Sequence, residues 1–198
     1  MVKKRKDVRR RILDVTRDLL IKKGLSQLSI RMIAAHVGCS VGTIYFYFDN
    51  KDELVHALIE EGFEKLITIQ ENVETDYSDP CIRFEMLCRN YISFARENPE
   101  YYEIMFTLNQ QQMARYPSEK YRRARRTLDI LADALDKCVE VNSGKVKDPY
   151  FSAHLIWTFM HGLVTLLQAR RIDHNINEDK IVNATIEQII RLNFDSLE

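Results

Sequence analysis

Apolar residues recur along the chain at spacings of three and four and nowhere alternate for long, so the pattern reads as successive helices rather than strands. Val8, Ile12, Val15, Leu19 and Leu20 share one face of a helix over residues 7–23, which Gly24 stops. Ser29 can cap a short helix over 30–37, Gly38-Cys39-Ser40 makes a tight turn, and a second short helix follows over 41–47. A long fourth helix opens near Lys51, with Leu54, Val55, Leu58, Ile59, Phe63 and Leu66 directed inward. Further helices are predicted over 80–96, 99–108, 118–141, 149–171 and 178–194. Asp79-Pro80, Asn98-Pro99 and Asp148-Pro149 each pair a capping side chain with a proline suited to the first helical position, and Pro117-Ser118 precedes another helical run. The expectation is an all-α chain of about nine helices.

Composition narrows this without changing it. The 198 residues are 45% hydrophobic and 29% charged, too apolar for disorder, and too poor in Gly and Pro for a collagenous or many-turned all-β chain. The formal charge cancels, but unevenly. Residues 1–56 hold 12 Lys and Arg against 6 Asp and Glu, and the remaining 142 hold 17 against 23, so a net +6 faces a net −6. A basic end on a neutral chain suits a module that meets an anionic polymer. Cys39, Cys81, Cys88 and Cys138 form no CxxC and no ligand-like cluster, and no signal peptide precedes them. Free thiols in a reducing cytoplasm, with no metal and no cofactor, are therefore expected. Residues 149–169 carry no Asp, Glu, Lys or Arg and are long enough to span a bilayer. His154, His161, Gln168 and several hydroxyls would be costly in hydrocarbon, so the expectation is no membrane but a helix buried in protein on nearly all sides.

Two short helices joined by a Gly-containing turn, at the basic end, make a helix-turn-helix. Ile33, Ala34, Val37, Ile44 and Phe48 supply its packing, small Ala34 and Ala35 allow close approach, and Ser40 caps the third helix so that its amides face a phosphate. Gly42 keeps the backbone bare, Thr43, Tyr45 and Tyr47 offer hydroxyls, and Lys51 offers an ammonium. With Ser29, Arg31, Val41 and Phe46 these form the candidate DNA-binding set. Residues 3–6 and 9–11, rich in Lys and Arg, are expected to add phosphate contact, and the cluster over 120–126 to be a solvated face.

The series Ile33-Ala34, Val37-Gly38, Ser40, Gly42-Thr43-Ile44-Tyr45, Phe48 and Lys51-Asp52-Glu53-Leu54 resembles the signature of the tetracycline-repressor (TetR) family over roughly residues 7–56. Val41 departs from it, standing where such proteins often carry a polar or basic residue. The resemblance implies a dimeric DNA-binding regulator: a helix-turn-helix domain over 1–56, and a ligand-binding and dimerisation domain over 57–198. A second stretch, residues 94–106 with Asn98-Pro99, together with Trp157 and His161-Gly162, resembles a C-terminal subclass named for a Trp-His-Gly motif.

Tyr91, Phe94, Tyr102, Met105, Phe106, Trp157 and His161 are the candidate lining for a small apolar or aromatic effector, with His161 able to orient it by hydrogen bonding. The same aromatic residues also serve as plain core. His154 and His161 stand seven apart, too far along a helix to share a metal. Leu155, Ile156, Phe159, Leu163, Leu166 and Leu167 on one helix, and Ile181, Val182, Ile186, Ile189 and Ile190 on the next, form apolar surfaces that suit a two-fold interface through the last two helices. No GxSxG, HExxH or phosphate-cradling glycine loop is present, so no enzyme is expected. The leading reading is a ligand-responsive repressor bound as a homodimer to a near-palindromic duplex operator. The alternative is a DNA-bound structural or interaction protein whose C-terminal domain binds a protein partner.

Overall fold

The computed structural model describes residues 2–106, 121–142 and 146–194. Among these the chain forms nine helices joined by turns and short loops: α1 (Val2–Lys23), α2 (Ile30–Val37), α3 (Val41–Tyr47), α4 (Lys51–Asp76), α5 (Pro80–Glu97), α6 (Pro99–Phe106), α7 (Tyr121–Val141), α8 (Pro149–Gln168) and α9 (Glu178–Asn193). Pro80, Pro99 and Pro149 each open a helix as expected; Pro117, Ser118 and Lys120 lie outside the described residues. Within the described residues two boundaries differ from expectation by more than two residues. α1 begins at Val2 instead of residue 7, because Lys and Arg are good helix formers and extend the turn without a cap. α8 ends at Gln168 rather than residue 171, since Arg170 takes a left-handed φ of 51° that ends the ladder.

Packing divides the chain elsewhere than at residues 56 and 57. One unit holds residues up to Phe63 and returns at Glu100; the other holds Glu64–Pro99 and resumes at Arg122. The first is closed by Ile12, Leu20, Ile33, Ile44, Phe48 and Leu54, with Ile104 of α6 in the same core. α6 joins it because Gly62 lets α4 come close: a Cβ there would lie 2.5 Å from Met105 Sδ and 3.4 Å from the Tyr101 ring.

In the second unit α5 is central: it packs against α8 and α9 and buries Phe84, Leu87, Tyr91, Ile92 and Phe94. Phe84 meets Phe194 edge-on at 5.9 Å. Two expectations fail here. α8 is not buried on nearly all sides: Ala153, Ile156, Met160, Leu163 and Val164 face inward, but Tyr150, Phe151, Leu155, Phe159 and Leu166 are exposed. An uncharged stretch signals an apolar helix without saying which of its faces the chain itself covers. Nor are all four cysteines free. Cys81 at the start of α5 and Cys138 near the end of α7 form a disulfide, with Cα atoms 4.8 Å apart, because the two helix ends meet. Cys39 and Cys88 are free thiols.

Candidate nucleic-acid interface

The α2–turn–α3 unit is held by side chains within a few residues of each end. Ser29 is extended and accepts from the Met32 amide at 3.2 Å, and Gly38 closes α2 with a left-handed φ of 73°. Ser40 accepts from the Thr43 amide at 3.1 Å, and its hydroxyl also pairs with Thr43 Oγ1 at 2.9 Å. Ile44 anchors α3 inward, and Phe48 is 2% exposed beneath it. The opposite face points out: Val41 is 37%, Tyr45 51% and Phe46 65% exposed. Gly42, Ser29, Arg31 and Ser40 are also at the surface, while Thr43 and Tyr47 are half-buried. Phe46 meets the Tyr47 ring edge-on at 5.0 Å. A Cβ on Gly42 would meet only Ser40 Oγ at 3.7 Å, so space within the chain does not require this glycine.

Lys51 has a task that sequence reasoning missed. Its ammonium donates to the Leu25 carbonyl at 3.2 Å, tying the start of α4 to the turn after α1. Two of its three N–H bonds stay available to another acceptor by stoichiometry. Three of the α1 arginines, Arg9, Arg10 and Arg17, are committed within the unit. Arg9 lies over the Phe48 ring at 5.1 Å. Arg10 pairs with Asp14 and with Glu61, and Arg17 bonds the Tyr101 hydroxyl at 3.3 Å while that hydroxyl donates to Glu61. The Arg10 hydrogen bond holds the Asp14 carboxyl below its ordinary range, and burial, followed by Glu61, raises the Tyr101 phenol. The Arg10–Asp14 spacing was readable as an i,i+4 pair; Glu61 and Tyr101 carry no local signal.

The candidate effector residues divide between the units. Tyr91, Phe94, Trp157 and His161 lie in the second. There the Trp157 indole donates to the Tyr91 hydroxyl at 3.0 Å, and that hydroxyl lies 3.3 Å from His161 Nδ1. Burial lowers the His161 pKa, favouring neutral imidazole. Tyr102, Met105 and Phe106 lie in the first unit, where Phe106 packs on Tyr102 at 4.8 Å and on Phe63 at 5.7 Å.

A cleft in the second unit, between α4, α5 and α7, touches none of those seven residues. Gln70, Arg83, Arg126, Asp133 and Lys137 line it. Gln70 is 4% exposed; its amide donates to the Thr127 carbonyl at 3.4 Å, and among the described residues its Oε1 has no partner. A signal existed, since Gln70 falls on the Phe63, Leu66, Val73 stripe of α4, where an apolar residue belongs. The basic cluster of α7 is exposed as expected, but Arg123 pairs with Glu64 at 3.0 Å and Arg126 with Glu71 at 3.2 Å. A separate groove on the outer side of α8 and α9 is lined by Leu155, Phe159, Ile189 and Leu192. Among the described residues no three His, Cys, Asp or Glu converge as a metal site.

Comparison with known proteins agrees with this geometry. Bacterial regulatory proteins of the tetR family match residues 12–58, and a tetracyclin repressor-like C-terminal domain matches residues 84–189, more than half of the chain. An HTH-type transcriptional regulator of Haemophilus influenzae is 32% identical over 94 residues, covering 47% of this chain and 50% of that protein. The chain spans about half the length of the curated relatives it matches, or less. A TetR family transcription regulator from Marinobacter aquaeolei VT8 has the same fold, with TM-score 0.76, 19% identity, and coverage of 99% of this chain and 100% of that one. The transcriptional regulator FadR from Bacillus subtilis, solved in complex with stearoyl-CoA, aligns with TM-score 0.73 and 18% identity over 92% of this chain and 97% of its own.

Proposed function

The chain belongs to the TetR family of bacterial regulatory proteins, and on that premise we propose that it is a DNA-binding transcriptional regulator, a dimeric repressor released by a small molecule. The outward face of α3 carries this reading: a short helix capped at Ser40 and anchored by Ile44 presents Val41, Tyr45 and Phe46, and Arg31 at the start of α2 is exposed as well. Such a helix fits the major groove. Tyr45 and the free N–H bonds of Lys51 serve phosphates, while Arg31, Val41 and the Thr43 methyl serve base edges. In a two-fold dimer the two α3 helices would enter grooves about 34–36 Å apart, on a near-palindromic duplex.

The dimer forms through α8 and α9. Phe151, Leu155, Phe159 and Leu166 lie on one stripe of α8 by helical spacing, and Gly162 lies on the same stripe, where, among the described residues, a Cβ would meet nothing within 4 Å beyond its own turn of helix. A bare glycine amid large apolar side chains allows a second helix to approach closely. Ile156 and Leu163 on α8 and Ile186 and Ile189 on α9, expected on this surface, serve the chain's own core instead.

The effector enters the second unit. The unpaired Gln70 Oε1 supports a ligand with a hydrogen-bond donor, and Arg83, Arg126 and Lys137 at the rim support one with an acidic group. The Tyr91–Trp157–His161 group supports an aromatic ligand. Selecting duplexes from a random pool with the full chain tests the whole reading. A symmetric consensus is expected, and Tyr45→Ala and Arg31→Ala should weaken binding to it by about 1–3 kcal/mol each. A pool without consensus, or variants that bind like the parent, would refute it.

A further inference from the structure

The four cysteines occupy unlike environments. Cys88 is sealed in the core and burial pushes its thiol up to about 12, which makes it inert. Cys81 lies one residue past Pro80 at the start of α5, is 8% exposed, and receives the Asn142 side-chain amide at 2.9 Å on its sulfur. Asp79 takes the amides of Cys81 and Ile82, so Asn142 is the donor acting on the sulfur itself. Cys138, fully buried, provides the second sulfur from α7, 57 residues away. If the chain binds DNA, as proposed above, it works in a reducing compartment, where disulfides are rare and usually transient or redox-sensing.

We infer that Cys81 and Cys138 form a redox-active pair, closed by a hydroperoxide and reopened by cellular thiols, whose state changes operator affinity. Cys81 is the attacking sulfur, being the more exposed and the one with a donor on it. Its thiolate attacks a peroxide oxygen; the S–O bond forms, the O–O bond breaks, and the leaving oxygen departs as alcohol or water after protonation. Cys138 then attacks the Cys81 sulfur; the S–S bond forms, the S–O bond breaks, and hydroxide leaves as water with the Cys138 proton. Two thiols are oxidised by two electrons and one hydroperoxide is reduced. Reopening is thiol–disulfide exchange with two equivalents of thiol. Closure ties the start of α5 to the end of α7, and Pro80 and Arg83 on one side and Ala134 and Lys137 on the other line the effector cleft beside that tie.

The experiment uses the full chain, reduced with glutathione and then treated with one equivalent of tert-butyl hydroperoxide. Alkylation and peptide mapping follow the cysteines, and binding to the selected duplex is measured for both forms. Hydroperoxide is expected to link the Cys81 and Cys138 peptides, glutathione to separate them, and the two forms to differ in affinity by about fivefold or more. Cys81→Ser and Cys138→Ser should each abolish that difference, and the wild-type comparison stands even if a variant folds poorly. A pair that stays closed in excess glutathione, stays open in hydroperoxide, or binds DNA equally in both states overturns the inference. Reversible closure in a chain that binds no duplex at all would instead refute the regulator reading, and with it the role of the pair.

Discussion

On α3 the exposed Val41, Tyr45 and Phe46 share a short helix with the hydroxyls of Thr43 and Tyr47 at the chain's basic end, whereas on α8 the exposed Phe151, Leu155, Phe159 and Leu166 share one stripe, with no charged residue from 149 to 169. Both surfaces are apolar in part, yet they suit different partners. A mixed surface at a basic end matches a polymer of phosphates and base edges. A dry stripe around a bare glycine matches an equally dry surface, which a second copy provides under two-fold symmetry. Exposed hydrophobicity alone therefore says little; its polar surroundings decide the partner.

The largest expected effect breaks this contrast on the α8 side. Phe159→Lys places a cation in the proposed interface of both copies at once, and should weaken the dimer by about 100-fold or more. Sedimentation should then show monomers at micromolar concentration; a persistent dimer would mean that the dry stripe has some other purpose. Next comes a test of the two helical glycines, read by urea unfolding at fixed protein concentration. Gly62→Val drives side-chain atoms into Met105 and should cost about 1–3 kcal/mol of the first unit's stability. A Cβ at Gly162 meets nothing within 4 Å among the described residues beyond its own turn of helix, so the Phe159→Lys monomer should tolerate Gly162→Val within about 0.5 kcal/mol, while the dimer should not. Equal costs at the two sites in the monomer would remove the case for an interface at Gly162.

Smaller effects sharpen the head. Ser40→Ala removes the cap of α3 and should destabilise the first unit by about 1 kcal/mol, with DNA affinity falling as α3 frays. An unchanged urea midpoint would show that packing by Ile44 and Phe48 alone sets α3. The smallest effect lies in the second unit. Burial lowers the His161 pKa in the folded chain, so the unfolded chain takes up the proton first as pH falls. His161 therefore contributes stability that is complete above the ordinary imidazole pKa of about 6.5 and is lost as pH falls below it toward the lowered value. Thermal unfolding at pH 8 and pH 5 should show a smaller pH-dependent loss for His161→Gln than for the parent; equal losses would show that other groups dominate.

Legibility followed distance along the chain. α2 and α3 have the bounds their sequence predicts, because Ser29 and Ser40 accept from amides three residues on and the Gly38 amide donates to the Ala34 carbonyl four residues back. The long apolar stripe of α4 was equally readable. The Arg10–Asp14 pair lies one turn apart, but Tyr101, which completes it, comes from 91 residues beyond Arg10. Lys51 reads as a phosphate ligand from its place in the motif; only the fold brings the Leu25 carbonyl to it. The seven candidate effector residues share a chemistry but not a location, since an aromatic side chain looks the same in sequence whichever core it joins.

The sequence by itself determined the helices, their caps, the basic reading head and the family to which the chain belongs. These rest on free energies that act within one or two turns: capping hydrogen bonds, helical periodicity, and the fixed φ of proline. Tertiary structure alone decided that Cys81 meets Cys138, that Gln70 spans from α4 to Thr127 with Oε1 unpaired among the described residues, and that α8 keeps one apolar stripe outside. Burial is non-directional, so an apolar or sulfur-bearing side chain states only that it leaves water; which segment receives it depends on how helices far apart in sequence pack.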